Sequence, residues 1–409
     1  MKVDLLHYSS PPIVGGVESV MAHHARLMAD AGHEVRILAG RGDVFDERVQ
    51  FVHIPFVDSR HTNILEIKRD LDQGNIPPQF PILKDQLVST LKEITLDTDV
   101  LIAHNVCSLS KNLALTAALY QLSQERNSPR LILWHHDLAW TTPRYRSELH
   151  DGYPWDLLRR DWAGAKQVVV SALRRQELAE LLGIPLERVV VVPNGLDIER
   201  FLKLEERSVE LVSQLDLLGC APLLLLPVRI TPRKNIELAL GVLAALRIQF
   251  PQAALVVTGP LGPHNPANIH YFNRLLSLRE SLGLKGCAHF LAEVSSEYLP
   301  DGVIADFYRL ADALFFPSRE EGFGIPILEA GMTGLPIFCA DIPPLRELAG
   351  ENARYYDPDS APEVVASMIS DHFASNPIYD LRVRVKKHYT WQQLYVEQIE
   401  PLLTEVVSL

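Results

Sequence analysis

Two acids with seven residues between them, Glu321 and Glu329, stand out in the stretch from Ala313 to Asp341, ALFFPSREEGFGIPILEAGMTGLPIFCAD. The run from Ala313 to Pro317 reads as a buried strand, and Gly322, Phe323 and Gly324 form a loop. A helix is entered near Ile325, a turn follows at Thr333-Gly334, and Pro336 to Cys339 is a second strand. A helix start offers free N–H groups and partial positive charge to an anion. A carboxylate accepts hydrogen bonds from hydroxyls and has nothing to donate to a phosphate. An acid on either side of an anion-binding helix start therefore suits a ligand with hydroxyls at both ends and a diphosphate between them. Were the span wholly helical, its eight steps would separate the acids by roughly 12 Å. The bland alternative is two solvated acids and an ordinary turn at Gly322 and Gly324. It explains one Glu as well as any other reading, but not the whole arrangement.

Three further groups carry chemistry. Arg229 and Lys234 bracket the passage from a strand end to the next helix. Two cations converging there would clamp a diphosphate and stabilise the charge on a departing nucleoside diphosphate. The pair Gly15-Gly16 lies between a short apolar strand and a helix, where it allows close backbone approach to phosphate or sugar. It lacks the G-x-G-x-x-G pattern, which weakens a dehydrogenase reading. Finally, the strand Leu131 to His136 ends in WHHDLAW. A histidine at the carboxyl end of a parallel strand points toward a ligand crevice, where Nε2 could donate to a sugar hydroxyl or shuttle a proton. His136-Asp137 is the better placed pair, and His135 is one residue out of phase.

With these residues in view, EEGFGIPILEA resembles the E-x7-E signature of retaining glycosyltransferases of family 4, which have the GT-B fold. The resemblance implies that Glu321 contacts the donor sugar's hydroxyls and Glu329 holds the ribose. It implies that Gly322, Phe323, Gly324 and Ile325 touch sugar and phosphates, and that Gly15-Gly16 closes over the diphosphate. The R-x4-K pair matches Arg229 and Lys234, and His136 matches a His-acid pair beside donor sugar and acceptor. Gly259 ends a strand that meets the donor cleft, and Val294 lies in a loop flanking the base. The implied catalytic set is Glu321, His136, Arg229 and Lys234. The resemblance is strongest from about 224 to 341 and weakest from 40 to 100.

The elements that must position these groups follow from apolar runs and turn signals. Val3 to Tyr8, Val35 to Ala39, Val100 to Asn105, Gln167 to Ser171 and Val189 to Val192 read as further strands of a first domain, residues 1–200, on the acceptor side. Its 58–98 stretch reads as helix, loop and helix on the rim. Pro193 to Asp197 closes this domain, and a hinge is expected in the charged stretch Glu199 to Ser213. The strands Pro222 to Ile230, Ala254 to Gly259, His289 to Ala292 and Arg354 to Asp357 belong to a nucleotide-sugar-binding domain, 214–387. A terminal helix, 388–409, is expected to return onto the first domain. The fold class is α/β, two doubly wound Rossmann-like domains facing a central cleft.

Composition sets the remaining limits. The 409 residues are 47% hydrophobic and 22% charged, which suits a globular protein. A formal charge of −12 argues against general nucleic-acid binding. Cys107, Cys220, Cys287 and Cys339 show no metal spacing, and reduced thiols in a cytoplasm are the simplest account. The start carries Asp4 and lacks the apolar core of an export signal, and no run is long enough to span a bilayer. Contact with the inner face of a membrane stays open through Arg159-Arg160 and Lys386-Lys387. The Asp-x-Asp strings Asp70–Asp72, Asp97–Asp99 and Asp357–Asp359 lie away from the motif, so neither metal nor other cofactor is expected. The expected partners are a nucleotide sugar and an acceptor that is a sugar, a glycan, a polyol or lipid-linked.

The expected reaction is transfer of a glucose- or mannose-type hexose with retention of configuration. Three rivals remain. A nucleotide-sugar 2-epimerase would carry a different acid set. A glycogen-type phosphorylase would need a Schiff-base lysine. A non-catalytic sugar-nucleotide-binding scaffold would not need Glu321, Glu329, Arg229 and Lys234 all intact.

Overall fold

The computed structural model describes residues 1–126, 128–261, 266–295 and 298–408, which form two compact units. The first unit comprises Met1–Gly195 with Trp391–Leu409, and the second Leu196–Thr390.

The first unit is built on seven strands: β1 (Lys2–His7), β2 (Glu34–Ala39), β3 (Val49–His53), β4 (Val100–His104), β5 (Arg130–His135), β6 (Lys166–Val169) and β7 (Val189–Val191). They pair in parallel in the order β3-β2-β1-β4-β5-β6-β7. The order reverses between β1 and β4, and at such a switch point the connections leave to opposite faces and open a crevice beyond the carboxyl ends. The register sets Leu6 beside Ala103 and His104 beside Trp134, so the ends of β1, β4 and β5 are level. β3 is a strand that sequence patterning passes over. Asp4 is fully buried in β1 and accepts both Nε and Nη2 of Arg36 at 2.7 Å.

The second unit holds β8 (Leu223–Leu226), β9 (Ala254–Val257), β10 (Ala288–Phe290), β11 (Ala313–Phe316), β12 (Ile337–Ala340) and β13 (Arg354–Tyr356). All are parallel, in the order β10-β9-β8-β11-β12-β13, with the switch between β8 and β11. β8 and β11 are buried along their whole length, as expected of strands covered on both faces.

The sequence boundaries shift in three places. Glu199 to Ser213, expected as a hinge, is mostly two helices of the second unit, Ile198–Leu202 and Glu206–Gln214. The first strand of the second unit stops at Leu226, because Pro227 cannot donate to a ladder, so Arg229 lies in a loop. The helix ending at His388 belongs to the second unit, and the tail that packs on the first begins at Trp391. That tail buries Tyr395, Ile399, Leu402, Leu403 and Val406 against Val3, Leu5, Met21 and Ile102. Gly195 admits it, since a Cβ there would lie 2.6 Å from the Trp391 ring. Among the described residues, no helix is long and apolar enough to cross a membrane.

Candidate active site

In the second unit, the loops leaving β8 and β11 are laced together at the switch point. The Arg319 N–H donates to the Arg233 carbonyl at 2.8 Å, and Lys234 Nζ donates to Glu321 Oε1. Both side chains of that ion pair are about nine-tenths buried, and Lys234 Nζ also lies 5.6 Å from the centroid of the Phe316 ring. Lys234 is not at a helix start. It closes a short 3-10 turn, Pro232–Lys234, after which Asn235 takes a left-handed conformation (φ 53°) and the helix Ile236–Leu246 begins. Arg229 is exposed and has no ion-pair or hydrogen-bond partner among the described residues. The structure thus sorts the two cations: Lys234 is committed to Glu321, and Arg229 is without a partner among the described residues.

Arg229 lines a cavity of about 270 Å³ together with Gly259, Ile325, Pro326 and Glu329. Gly259 is required there by close packing. A Cβ would fall 2.1 Å from the Val228 carbonyl oxygen and 2.6 Å from the Arg229 nitrogen, so the exits of β8 and β9 pass backbone to backbone. Gly324 is required by conformation, because it caps the helix Ile325–Thr333 at φ 109°. Gly322 meets nothing within 4 Å of its would-be Cβ, and Phe323 is 54% exposed. On the helix, Glu329 accepts the Tyr308 hydroxyl at 2.5 Å. Burial, and then the Glu329 carboxylate, push the Tyr308 phenol well up, so it stays a donor. Tyr308 is a positioning group that the motif alone does not show. Its only trace in sequence is an apolar helical period before β11. Val294 does not line the cavity, and its carbonyl faces Arg207 Nη2 at 3.5 Å.

In the first unit, four imidazoles gather at the switch point. The His7 Nδ1–H donates to the His104 carbonyl at 2.7 Å, and His104 Nδ1 lies 3.4 Å from His136 Nε2. His24 is fully buried between His104 and Trp134, with ring centroids at 5.4 and 4.6 Å. The arrangement corrects the expectation for His136, whose Nε2 is turned to His104 Nδ1. Burial holds His7 and His136 down at about 4 and His24 at about 3, so all three rings are neutral at pH 7. His135 is buried and bonded to Gln167 Oε1 at 2.8 Å. Asn105, left-handed at φ 56° after β4, accepts the backbone N–H groups of His136 and Asp137 at 3.0 and 2.9 Å. It fixes the strand end, and sequence reasoning missed it.

Gly15 caps the helix Gly16–Asp30. The Glu18 carboxylate lies against it, 2.1 Å from a would-be Cβ, and accepts the Ser9 hydroxyl at 2.6 Å. This helix start therefore already has an acid beside it. Gly16 meets nothing within 4 Å. Among the described residues no group of three or more His, Cys, Asp or Glu could hold a metal ion. The Asp-x-Asp acids are taken up locally: Asp72 by Lys68, Asp97 by Lys2 and Asp359 by Arg319.

Comparison with known proteins bears on both units. Residues 14–200 match the model of Glycosyltransferase Family 4, and residues 216–387 match that of Glycosyl transferases group 1. The mannosylglucosylglycerate synthase of Thermotoga maritima is 26% identical over 84% of this chain and 83% of its own length. The MMP alpha-(1->4)-mannosyltransferase of Mycolicibacterium hassiacum is 25% identical over 90% and 88%. The D-inositol 3-phosphate glycosyltransferase of Nocardia farcinica is 25% identical over 80% and 70%. With two Rossmann-like units, each matched over most of its length, the chain belongs to the group 1, family 4 glycosyltransferases of the GT-B fold.

Proposed function

We propose that this glycosyltransferase moves a glucose- or mannose-type hexose from a nucleoside diphosphate donor to a hydroxyl acceptor, with retention and without a metal. The observation that carries this is the cavity of the second unit, where Arg229, Gly259 and the Tyr308-held Glu329 share one wall system. Arg229 receives the diphosphate, Glu329 the ribose hydroxyls, and the backbone from Gly322 to Ile325 the phosphates and sugar. Glu321, held by Lys234, accepts from sugar hydroxyls, while Lys234 supplies positive charge to the leaving diphosphate. The donor's own phosphate oxygen then takes the acceptor's proton on the face the leaving group departs from. In the first unit this reading gives His136 a neutral imidazole for a sugar hydroxyl, and Gly15-Gly16 a backbone face for phosphate oxygens. Relatives named as mannosyltransferases support the hexose assignment. Four free cysteines suit a reducing cytoplasm.

The test is thermal shift with UDP, GDP, ADP and their glucose and mannose conjugates in EDTA, followed by NMR of the product's anomeric proton. A diphosphate at 100-fold its Kd adds about 2.7 kcal/mol to native stability. Stabilisation that survives EDTA and a product of unchanged anomeric configuration support the reading. Binding that needs a divalent cation, or an inverted product, overturns its metal-free or retaining part.

A further inference from the structure

The donor cavity has a wall that the sequence motif does not mention. Tyr298, Leu299, Asp301 and Ile304 line it together with Gly259 and Arg229. Asp301 opens the helix Asp301–Leu310, whose cap residue is Pro300, and its carboxylate accepts no hydrogen bond among the described residues. Asp301 and Ile304 line the cavity, and Tyr308 follows at four-residue spacing on the same stripe of the helix, where it holds the lining residue Glu329. Tyr308 marks the Glu329 end of that stripe. Seven residues of helix put Asp301 about 10 Å further on, a distance comparable to the length of a nucleoside. Tyr298, 68% exposed, lines the same cavity.

We propose that this cavity selects a guanine base and that Asp301 reads it, an inference that rests on the donor-site reading above. An ionised carboxylate offers acceptors only. Guanine presents two adjacent donors, N1–H and the 2-amino group, which match the two carboxylate oxygens in a charge-assisted pair. Uracil presents one donor flanked by carbonyl oxygens that a carboxylate repels, and adenine one donor beside an acceptor nitrogen. Ile304 and Leu299 supply the apolar edge, and Tyr298 the stacking face.

The experiment is calorimetric titration of the full chain with GDP, IDP, UDP and ADP, on wild type and on Asp301→Asn. IDP is GDP without the 2-amino group. The expected result is GDP tightest by about tenfold or more over UDP and ADP, a loss of several-fold from GDP to IDP, and collapse of that GDP/IDP difference in Asp301→Asn. A carboxylate that only serves its helix start would lower stability in Asp301→Asn and leave the GDP/IDP ratio unmoved, which overturns the proposal. So does equal or tighter binding of UDP or ADP, and in that case the diphosphate site still stands. Absence of binding by all four diphosphates overturns the donor-site reading along with it.

Discussion

At the scale of single residues, the two cations of the R-x4-K pair are physically unlike. Lys234 is buried against Glu321, and removing one partner of a buried pair leaves the other's charge desolvated, which costs about 3 kcal/mol or more. Arg229 is exposed and has no partner among the described residues, so its loss falls within about 0.5 kcal/mol. Lys234→Ala should therefore lower both melting temperature and turnover. Arg229→Ala should melt like wild type while weakening diphosphate affinity by about tenfold, a typical loss for a charge-assisted contact. Melting curves paired with GDP and UDP titrations separate the two. If Arg229→Ala binds diphosphate normally, its place in the cavity has no function. Sequence spacing brought out Arg229, Lys234, Glu321 and Glu329 because the motif is local. It left out Tyr308 and Asn105, whose partners lie 21 residues or more away in the chain.

At the scale of elements, the strand ends at the first switch point concentrate buried histidines. For His7, His24, His135 and His136, burial moves the folded-state value from the ordinary 6.5 down to about 4, or about 3 for His24. The unfolded chain takes up these protons near pH 6.5 and the folded chain does not. The stability at stake is intact above pH 6.5 and drains as pH falls toward 4, at up to about 1.4 kcal/mol per unit for each histidine. All five tryptophans, Trp134, Trp140, Trp155, Trp162 and Trp391, belong to the first unit, so their fluorescence reports it alone. Between pH 7 and 5 the tryptophan-detected melting point should fall steeply. The second unit, followed by ligand-induced shift, should fall less. Equal falls would remove the histidines as the cause. The strands other than β3 were legible as apolar runs, to within a few residues. The end misjudged was the one where Pro227 stops a ladder, and β3, which carries no strong period, was missed altogether. The histidine cluster was not legible, since its members come from β1, β4, the end of β5 and a helix, and only the parallel register brings them level.

At the scale of the whole molecule, the chain leaves the first unit at Gly195 and re-enters it at Trp391. Trp391 stacks on His23 at 5.0 Å and meets His24 edge-on at 5.4 Å, and the residues after it complete the buried face around Val3 and Leu5. A chain cut after Thr390 should lose cooperative tryptophan-detected unfolding and still gain thermal stability from the diphosphate bound by the second unit. Retained tryptophan cooperativity would show the tail to be dispensable. The same threading bears on synthesis. A ribosome delivers Met1 to Gly195 before the second unit, but that portion lacks the layer that seals its sheet until the segment from Trp391 to Val406 has left the exit tunnel. The second unit is complete in covalent terms once Thr390 emerges. The half that is translated first is therefore the half that finishes folding last, and throughout elongation its unsealed sheet is the surface a chaperone would meet.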